Sequence, residues 1–377
     1  MSCRGDPALG ERGLFQGGGR LYAELRARSA VVLTPELISA GRRRLAIKCA
    51  VIATWTVGAY LGLLFLAHGP LSVTLWSVAL GLAIAGVAFC IGHDANHDAF
   101  LGNRRANRVV GLAFDLIGVS SYIWRSKHNQ AHHSFTNVQG ADSDIEQMPL
   151  ARLAPDQPLH WYHRFQHIYM WLLYGLFTIR HHLFGDIKQL VTGRIADLTP
   201  VARPRGVELA YFIGGKVVFW TWTAVIPLLL HPWYGVLGAF LIVSWVSGFT
   251  VATVFQLAHC TDDAHFSSID ELRSGPPKAW ADHQVETTVD FAPSNAFLRW
   301  YLGGLNFQVE HHLFPKVSHV HYPLLFPIVR DTCAELGVQH NTQATLRLAL
   351  GSHVRWLRQM GRPEPSGIGV SAQSPSG

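Results

Sequence analysis

Histidine is the residue type whose number and spacing in this chain could support chemistry. The 377 residues include 21 histidines beside 25 aspartates and glutamates. A first cluster, Gly-His-Asp-Ala-Asn-His-Asp, places His93 and His97 four positions apart. Helical side chains four apart lie on one face, so the two imidazoles can bind a single metal ion.

A second cluster lies in the segment Trp-Arg-Ser-Lys-His-Asn-Gln-Ala-His-His-Ser and contains His128, His132 and His133. On an α-helix the first two share a face, and the third points from an adjacent face. This segment can therefore reach two metal ions.

A third cluster, Asn-Phe-Gln-Val-Glu-His-His-Leu-Phe-Pro, supplies Gln308, His311 and His312, and the segment Phe-Gln-Leu-Ala-His adds His259. Eight imidazoles suit two transition-metal ions, because imidazole is a good ligand for iron, copper, nickel and zinc. The spacing alone does not name the metal. The predicted metal ligands are His93, His97, His128, His132, His133, His259, His311 and His312.

Carboxylates beside these histidines are predicted to orient the imidazoles. Metal-bound histidine usually donates its second N–H group to a carboxylate or a carbonyl oxygen. Asp94, Asp98 and Glu310 adjoin predicted ligands and are the candidates for this role. The alternative for each of them is a solvated carboxylate.

Four apolar helices are predicted to position the histidines. Two charge-free segments separated by Ala-His-Gly-Pro predict one helical hairpin, and a charge-free stretch of 45 residues interrupted by His-Pro-Trp predicts another. About 20 apolar residues span a bilayer as a helix, and proline ends helices. The predicted spans are residues 49–66, 71–91, 208–230 and 233–258.

Several residues near these spans have predicted positions of their own. Lys216 lies within the third span and is predicted near its cytoplasmic end, where a long side chain reaches the polar interface. The charge-free segment 165–179 is too short to cross the membrane and is predicted to lie along the interface. The adjacent pair His181 and His182 is predicted to be interfacial, and His283 to be structural.

Lysine and arginine predict the orientation of the spans. The two hairpin turns contain neither residue, whereas Arg42, Arg43, Arg44 and Lys48 precede the first span and twelve more lie in the segment 92–207. Positively charged loops stay in the cytoplasm, so both termini and all histidine clusters are predicted to be cytoplasmic. Clusters on one side of the membrane can form a single site.

The composition excludes several classes of protein. The chain is 49% hydrophobic and 15% charged, whereas soluble domains average about 25% charged residues; disordered chains and charged coiled coils are therefore excluded. The net charge of +6 forms no basic stripe interleaved with aromatic residues, so no nucleic-acid partner is predicted. The five cysteines form no C-x-x-C pair. Residues 1–28 and 362–377 are predicted to be disordered tails of one domain, 29–361.

The ordered motifs H-x-x-x-H, H-x-x-x-H-H and Q-x-x-H-H resemble the membrane fatty acid desaturase family, and the strings GHDANHDAF, HNQAHHSFTN and GLNFQVEHHLFP are similar to its acyl-lipid and front-end branch. The resemblance implies an all-α integral membrane fold: four transmembrane helices in two hairpins, interfacial helices, and a cytoplasmic helical cap. It also implies a non-haem di-iron centre bound by the eight histidines. Gln308 stands where another branch has histidine, and it reaches iron directly, through water, or not at all.

The activity that the resemblance implies is insertion of a cis double bond into a long fatty acyl chain, with O₂ and two electrons. Hydroxylation and acetylenic-bond formation on the same scaffold stay open, as does the carrier of the acyl chain. A histidine-lined metal transporter or sensor would require histidines or carboxylates at mid-membrane. The predicted spans have none there.

The two electrons must come from outside the chain, because no G-x-G-x-x-G fingerprint follows a predicted strand. The sequence also lacks the His-Pro-Gly-Gly haem motif of fused cytochrome b5 domains. The expected partners are therefore membrane lipid, the acyl substrate, and a separate donor, which is a ferredoxin or cytochrome b5 with its reductase. The donor is predicted to dock on cytoplasmic arginines: Arg42, Arg43, Arg44, Arg104, Arg105 and Arg108.

Overall fold

The structure, a computed structural model, describes residues 14–196 and 199–363. Nearly all of its regular secondary structure is helical, which confirms the predicted all-α class. The α-helices are Gly19–Val32, Pro35–Phe65, Pro70–Val87, His93–Asn96, Arg104–Gly111, Ala113–Leu116, Ser121–Trp124, Gln166–Gly175, Phe177–Arg180, Asp186–Thr192, Val207–Trp220, Ile226–Leu230, Trp233–His259, Ile269–Ser274, Trp280–Thr287, Ala296–Tyr301, Gln308–Leu313, Tyr322–Glu335 and Leu346–Met360.

Shorter elements complete the described chain. The π-helices are Ala88–Gly92, Arg125–His132, His181–Gly185 and Thr221–Val225, and the 3-10 helices are Trp161–Phe165 and His319–His321. Val138–Gln139 pairs in parallel with Ser267–Ser268, Arg194–Ala196 pairs antiparallel with Thr199–Pro200, and Asp290–Phe291 pairs in parallel with Thr342–Gln343. These two- and three-residue strands tie loops together and form no larger sheet.

Four helices in the described part of the chain are long and apolar enough to cross a membrane, as the sequence predicted. They are Pro35–Phe65, Pro70–Asn96, Val207–Leu230 and Trp233–His259. The first begins well before the predicted residue 49, because Thr34 caps its N-terminus by accepting the Leu37 N–H at 3.3 Å and Pro35 occupies the first helical turn. The charged segment around Arg42 thus continues the helix beyond its apolar part.

The second and fourth spans form the centre of the helix bundle. The apolar window of the second span is 61% buried and that of the fourth is 44% buried, against 28% and 6% for the first and third. The two central spans approach closely at Gly81, where a Cβ atom would lie 2.9 Å from the Val243 carbonyl oxygen. The third span is therefore the one least covered by the rest of the described chain.

Lys216 forms an ion pair that the sequence analysis did not predict, and its position near the cytoplasmic end of the span stays a prediction. Its ammonium group donates to Asp186 Oδ2 at 2.6 Å and to the Gly118 carbonyl oxygen at 2.7 Å. Asp186 is buried and also accepts the Ser120 N–H at 2.8 Å. Buried charges are stable when they are paired. Asp186 lies 30 residues before Lys216 in the sequence, so the pattern of the third span alone could not predict this pair.

The predicted interfacial segment folds as the helices Gln166–Gly175 and Phe177–Arg180, which pack on the fourth span. A Cβ atom at Gly248 would lie 2.8 Å from the Gly175 carbonyl oxygen, so glycine is required for this approach. The opposite face exposes Ile168 and Leu172. A helix with one apolar face exposed matches the predicted position along the membrane surface.

The predicted disordered tail 1–28 is wrong for residues 19–28. They belong to the helix Gly19–Val32, in which Leu21 and Leu25 lie one turn apart and are buried against Trp280. The glycine-rich sequence before this helix led to the prediction of disorder. The apolar pair Leu21 and Leu25 is too short to predict a helix without its distant partner Trp280. Residues 1–13 and 364–377 lie outside the described residues, so the remaining tail predictions stay predictions.

A helical cap closes over the ends of the second and fourth spans. Its core joins the N-terminal helix to the helices Trp280–Thr287, Gln308–Leu313 and Tyr322–Glu335. A second cluster of buried side chains connects Phe89 of the second span with Leu257 of the fourth and with Leu305 before the third histidine cluster. The cap therefore brings distant histidines to one place.

Candidate metal centre

The first histidine cluster lies where the second span ends. A π-helical turn at Ala88–Gly92 precedes the short helix His93–Asn96, and His97 follows directly. The His93 and His97 rings lie 4.7 Å apart, as their four-residue spacing predicted.

The second cluster lies on a π-helix, Arg125–His132, whereas the sequence analysis assumed α-helical geometry. In a π-helix residue i is bonded to residue i+5, so His128 and His133 converge with their Nε2 atoms 3.2 Å apart. His128 also lies 3.3 Å from His93, Nε2 to Nε2. The predicted pairing of His128 with His132 is kept, with their rings stacked 5.2 Å apart, and the π-helix adds the contact between His128 and His133.

The third cluster occupies the buried helix Gln308–Leu313. Its two histidines point into different parts of the site: the His311 ring lies 4.5 Å from the His93 ring, and the His312 ring lies 4.2 Å from the His133 ring. His259 closes the site from the end of the fourth span, 5.0 Å from the His312 ring.

All eight predicted ligands meet in one buried site, and each is at most 6% exposed. Their ligand atoms form groups in which all members lie within 4.8 Å of one another. One group is His93, His97, His128 and His311; a second is His132, His259 and His312; a third, His133, His311 and His312, connects them. The first group offers four nitrogens and the second offers three, and the third group contains one member of each. This arrangement suits two neighbouring metal ions.

Four of the clustered histidines have an Nε2 atom without another partner. Within the described residues no hydrogen-bond partner reaches the Nε2 atoms of His97, His132, His311 or His312, although all are buried. Buried polar atoms are nearly always hydrogen-bonded, so these four nitrogens are suited to bind a cation. The residues present therefore fit a transition metal, for which neutral imidazole is a good ligand.

Burial keeps these imidazoles in the form that binds metal. It lowers the pKa of His97, His128, His133, His311 and His312 well below the usual value, and the neighbouring imidazoles lower each pKa further. His132 behaves differently: burial acts to lower its pKa, but the carboxylates of Asp142 and Asp144 outweigh burial and raise it. Asp142 thus stabilises positive charge on this imidazole.

Outer partners fix the direction of several rings through Nδ1. His132 Nδ1 lies 2.9 Å from Asp142 Oδ2, and His312 Nδ1 lies 2.8 Å from Gln284 Oε1. His311 Nδ1 lies 3.1 Å from the Tyr322 hydroxyl. Sequence reasoning missed Asp142, Gln284 and Tyr322, because none of them adjoins a histidine cluster and only the fold brings them close.

The three carboxylates predicted to orient ligands have different surroundings. Asp94 Oδ2 accepts from His319 Nδ1 at 2.8 Å, and its Oδ1 lies 4.0 Å from His93 Nδ1. Asp98 instead faces Arg104 at 3.5 Å, with its side chain 40% exposed, so it matches the solvated alternative. Glu310 is fully buried and lies 3.9 Å from His340, not beside a clustered imidazole.

Gln308 and the remaining histidines are also placed by the fold. Gln308 Nε2 lies 2.9 Å from His259 Nε2, within the site. His283 Nε2 bonds the Thr136 carbonyl oxygen at 2.9 Å, and His182 Nε2 bonds the Ile117 carbonyl oxygen at 3.1 Å. Both contacts are structural, as predicted for His283.

A cavity of about 340 Å³ opens beside the histidines and is lined by His93, His128 and mostly apolar side chains. Its volume falls within the range of small-molecule binding pockets. His181, predicted to be merely interfacial, lines the same cavity. The site can therefore hold an apolar chain against a metal-binding set of imidazoles.

Four membrane-length helices, of which the second and fourth end at such a site, define an integral membrane protein with a polyhistidine centre at one end of its helix bundle. The family model described as fatty acid desaturase matches residues 68–344. Two curated relatives are named sn-1 linoleoyl-lipid 6-desaturase. The protein of Arthrospira platensis is 36% identical over 85% of this chain and 87% of its own length. The protein of Synechocystis is 36% identical over 84% of this chain and 88% of its own length.

A third relative, an acyl-lipid (8-3)-desaturase of Physcomitrium patens, is 37% identical over 77% of this chain and 60% of its own length. The chain belongs to the fatty acid desaturase family. It is an integral membrane oxidoreductase that desaturates fatty acyl chains.

Proposed function

We propose that this desaturase inserts a cis double bond into a long acyl chain esterified to a membrane lipid, at a di-iron centre bound by the eight clustered histidines. The observation that carries the proposal is the convergence of eight buried imidazoles beside an apolar cavity, with unpartnered Nε2 atoms on His97, His132, His311 and His312. The names of the relatives, which specify acyl-lipid and linoleoyl-lipid substrates, support an ester-linked chain.

The reaction removes two hydrogen atoms from adjacent methylenes. O₂ takes up these two hydrogens, two external electrons and two protons, and is released as two molecules of water. Two iron ions held by the histidines would supply the O₂ activation needed to break an unactivated C–H bond. Removal of both hydrogens leaves the double bond in the chain.

The chain's own residues position the substrate and exclude water. His93 and His128 belong both to a metal-binding group and to the cavity wall, so a chain in the cavity lies directly against the centre. Trp124 stacks on the His128 ring at 4.3 Å and also lines the cavity. Apolar side chains such as Phe114 and Ile117 keep bulk water from the reacting carbons.

Product analysis tests the reaction. Lipids from cells with and without the protein should differ by one double-bond isomer in gas chromatography–mass spectrometry. His97→Ala should abolish that isomer. A hydroxy fatty acid or an acetylenic product in place of the alkene would instead select the alternative reaction on the same scaffold.

Metal analysis tests the ligands. Aerobically purified protein should contain about two irons per chain, and His→Ala at any of the eight positions should lower both iron and activity. His182→Ala serves as the matched control, because its imidazole bonds a backbone carbonyl and belongs to none of the metal-binding groups. Equal iron loss in His182→Ala and His312→Ala would contradict the assignment.

We further propose that a separate acidic electron carrier, a ferredoxin or cytochrome b5 with its reductase, docks on the cytoplasmic arginines. Arg42 lies beside Gly102: a Cβ atom added to this glycine would be 2.8 Å from the Arg42 guanidinium. The basic segment of the first helix and the loop before Arg104 therefore share one surface. Arg108 is paired with Glu208 and Arg104 with Asp98, which leaves Arg42, Arg43, Arg44 and Arg105 as the main contacts of this surface. Activity with NAD(P)H should require an added donor and reductase.

A further inference from the structure

Exposed lining residues mark a mouth of the cavity beside the histidines. Of the side chains that line it, Leu150, Leu176 and Arg180 are exposed, whereas those at its inner part, such as Phe89 and Ile117, are buried. A chain-shaped substrate therefore enters between these three residues and reaches the imidazoles inside. Its polar end stays at the mouth.

Arg180 is the cation at this mouth with unused hydrogen-bonding capacity. Its Nη1 donates to Gln147 Oε1 at 3.0 Å, and across the described ranges no carboxylate lies within ion-pair distance of its guanidinium. The second cation of the cavity wall, Lys127, is already paired with Asp144 at 2.6 Å. Arg180 is therefore the group that can receive an anion.

The surface that continues from the mouth is apolar. Exposed Ile168, Leu172, Leu183 and Phe184 lie on the helices before and after Arg180. An apolar surface of this kind contacts lipid acyl chains, with a flanking arginine at headgroup level. The mouth is thus built to receive a chain from the bilayer rather than from a soluble carrier.

We propose that Arg180 binds the phosphate group of a phospholipid whose acyl chain occupies the cavity. A guanidinium fork binds phosphate through two parallel, charge-assisted hydrogen bonds, and Gln147 holds that fork across the mouth. The anchored headgroup sets the length of chain between the ester and the imidazoles. This proposal rests on the proposed function and names its substrate class.

The other cation of the cavity wall, Lys127, lies close to the metal-binding histidines. Lys127 directly precedes His128, and its partner Asp144 lies 3.7 Å from His132 Nδ1. Lys127 therefore lies beside the metal-binding histidines, with its charge already paired, and Arg180 is the cation that is left to receive a headgroup.

The test compares two lipids with identical acyl chains, phosphatidylglycerol and an uncharged monogalactosyl diacylglycerol, in detergent micelles with full-length, iron-loaded protein. Arg180→Gln should lower the ratio of kcat/KM for the phospholipid to kcat/KM for the galactolipid by about tenfold or more, the factor expected for lost charge-assisted hydrogen bonds. Arg180→Lys should lower this ratio less, because it keeps the charge and loses the fork. Arg164→Gln, at an exposed arginine of the same segment outside the cavity, is the control.

A second variant leaves Arg180 in place. Gln147→Glu would pair with the guanidinium and neutralise it, so the same ratio should fall in a protein that retains every cavity-lining cation. Iron content and gel-filtration profile establish that each variant is folded.

The outcomes are separable. Three results would overturn the phosphate site while the desaturase activity stands. The first is an equal loss of kcat/KM on both lipids, and the second is an unchanged ratio of the two kcat/KM values in Arg180→Gln and Gln147→Glu. The third is wild-type protein that desaturates the galactolipid alone. If the wild type desaturates neither lipid, the ester-linked substrate of the proposed function fails as well.

Discussion

Asp142→Asn tests whether a buried carboxylate controls metal binding at His132. Asp142 is fully buried and accepts three N–H groups: His132 Nδ1 at 2.9 Å, the Asn137 amide at 3.0 Å and the Asp144 amide at 2.9 Å. Asparagine has the same shape but only one oxygen. One of the three donors would therefore face an NH₂ group and lose its acceptor.

The size of the effect follows from this geometry. The substitution removes the negative charge that stabilises a cationic His132, whether the imidazole carries a proton or a metal ion. Loss of such an outer partner typically weakens metal affinity or activity about 10- to 100-fold, which corresponds to about 1.4–2.7 kcal/mol at a factor of ten per 1.4 kcal/mol. We therefore expect iron loss at His132 without loss of the fold.

The assay is iron per chain after dialysis against a series of chelator concentrations, with desaturation measured on the same samples. Asp98→Asn is the matched control: it makes the same substitution at a carboxylate that directly follows a clustered histidine, but this side chain faces Arg104 at the surface. The control should retain iron like the wild type. Equal chelator sensitivity in the two variants, or none in either, would refute the role given to Asp142, and gel filtration would reveal a variant that fails to fold.

Three further outcomes are expected. A cysteine introduced at His231 should react with an impermeant label from outside, and one at Val320 should not; labelling of both would place the third cluster on the wrong side for a cytoplasmic site. Lys216→Met and Asp186→Asn should each destabilise the protein by about 3 kcal/mol, because each leaves a buried partner unpaired, and the double variant should recover most of the lost thermal stability. Turnover with a separate acidic donor should fall as salt rises from low to physiological ionic strength, and salt-independent turnover would argue against docking on the basic surface.

Patterns that are local in the chain were predictable from the sequence. A run of about 20 apolar residues must be helical in lipid, because each of its backbone N–H and C=O groups needs an internal partner. The four spans and the Pro-containing breaks between them therefore followed from composition alone. Seven of the histidines followed from their spacing within three motifs, since i and i+4 share a helical face, and His259 followed from its position at the end of the fourth predicted span. The structure brings all eight together.

Other features depend on contacts between distant segments, and only the tertiary structure decided them. The π-helix at Arg125–His132 turns His133 toward His128, which α-helical spacing did not predict. Asp142, Gln284 and Tyr322 orient imidazoles from elements that packing brings near, and the helix at Gly19–Val32 is ordered by a partner beyond residue 279. The sequence determined which elements form and which side chains can bind metal, because helix formation and ligand chemistry are local. The grouping of the ligands, their outer partners and the shape of the cavity arise from packing, where energies of a few kcal/mol between remote residues decide the arrangement.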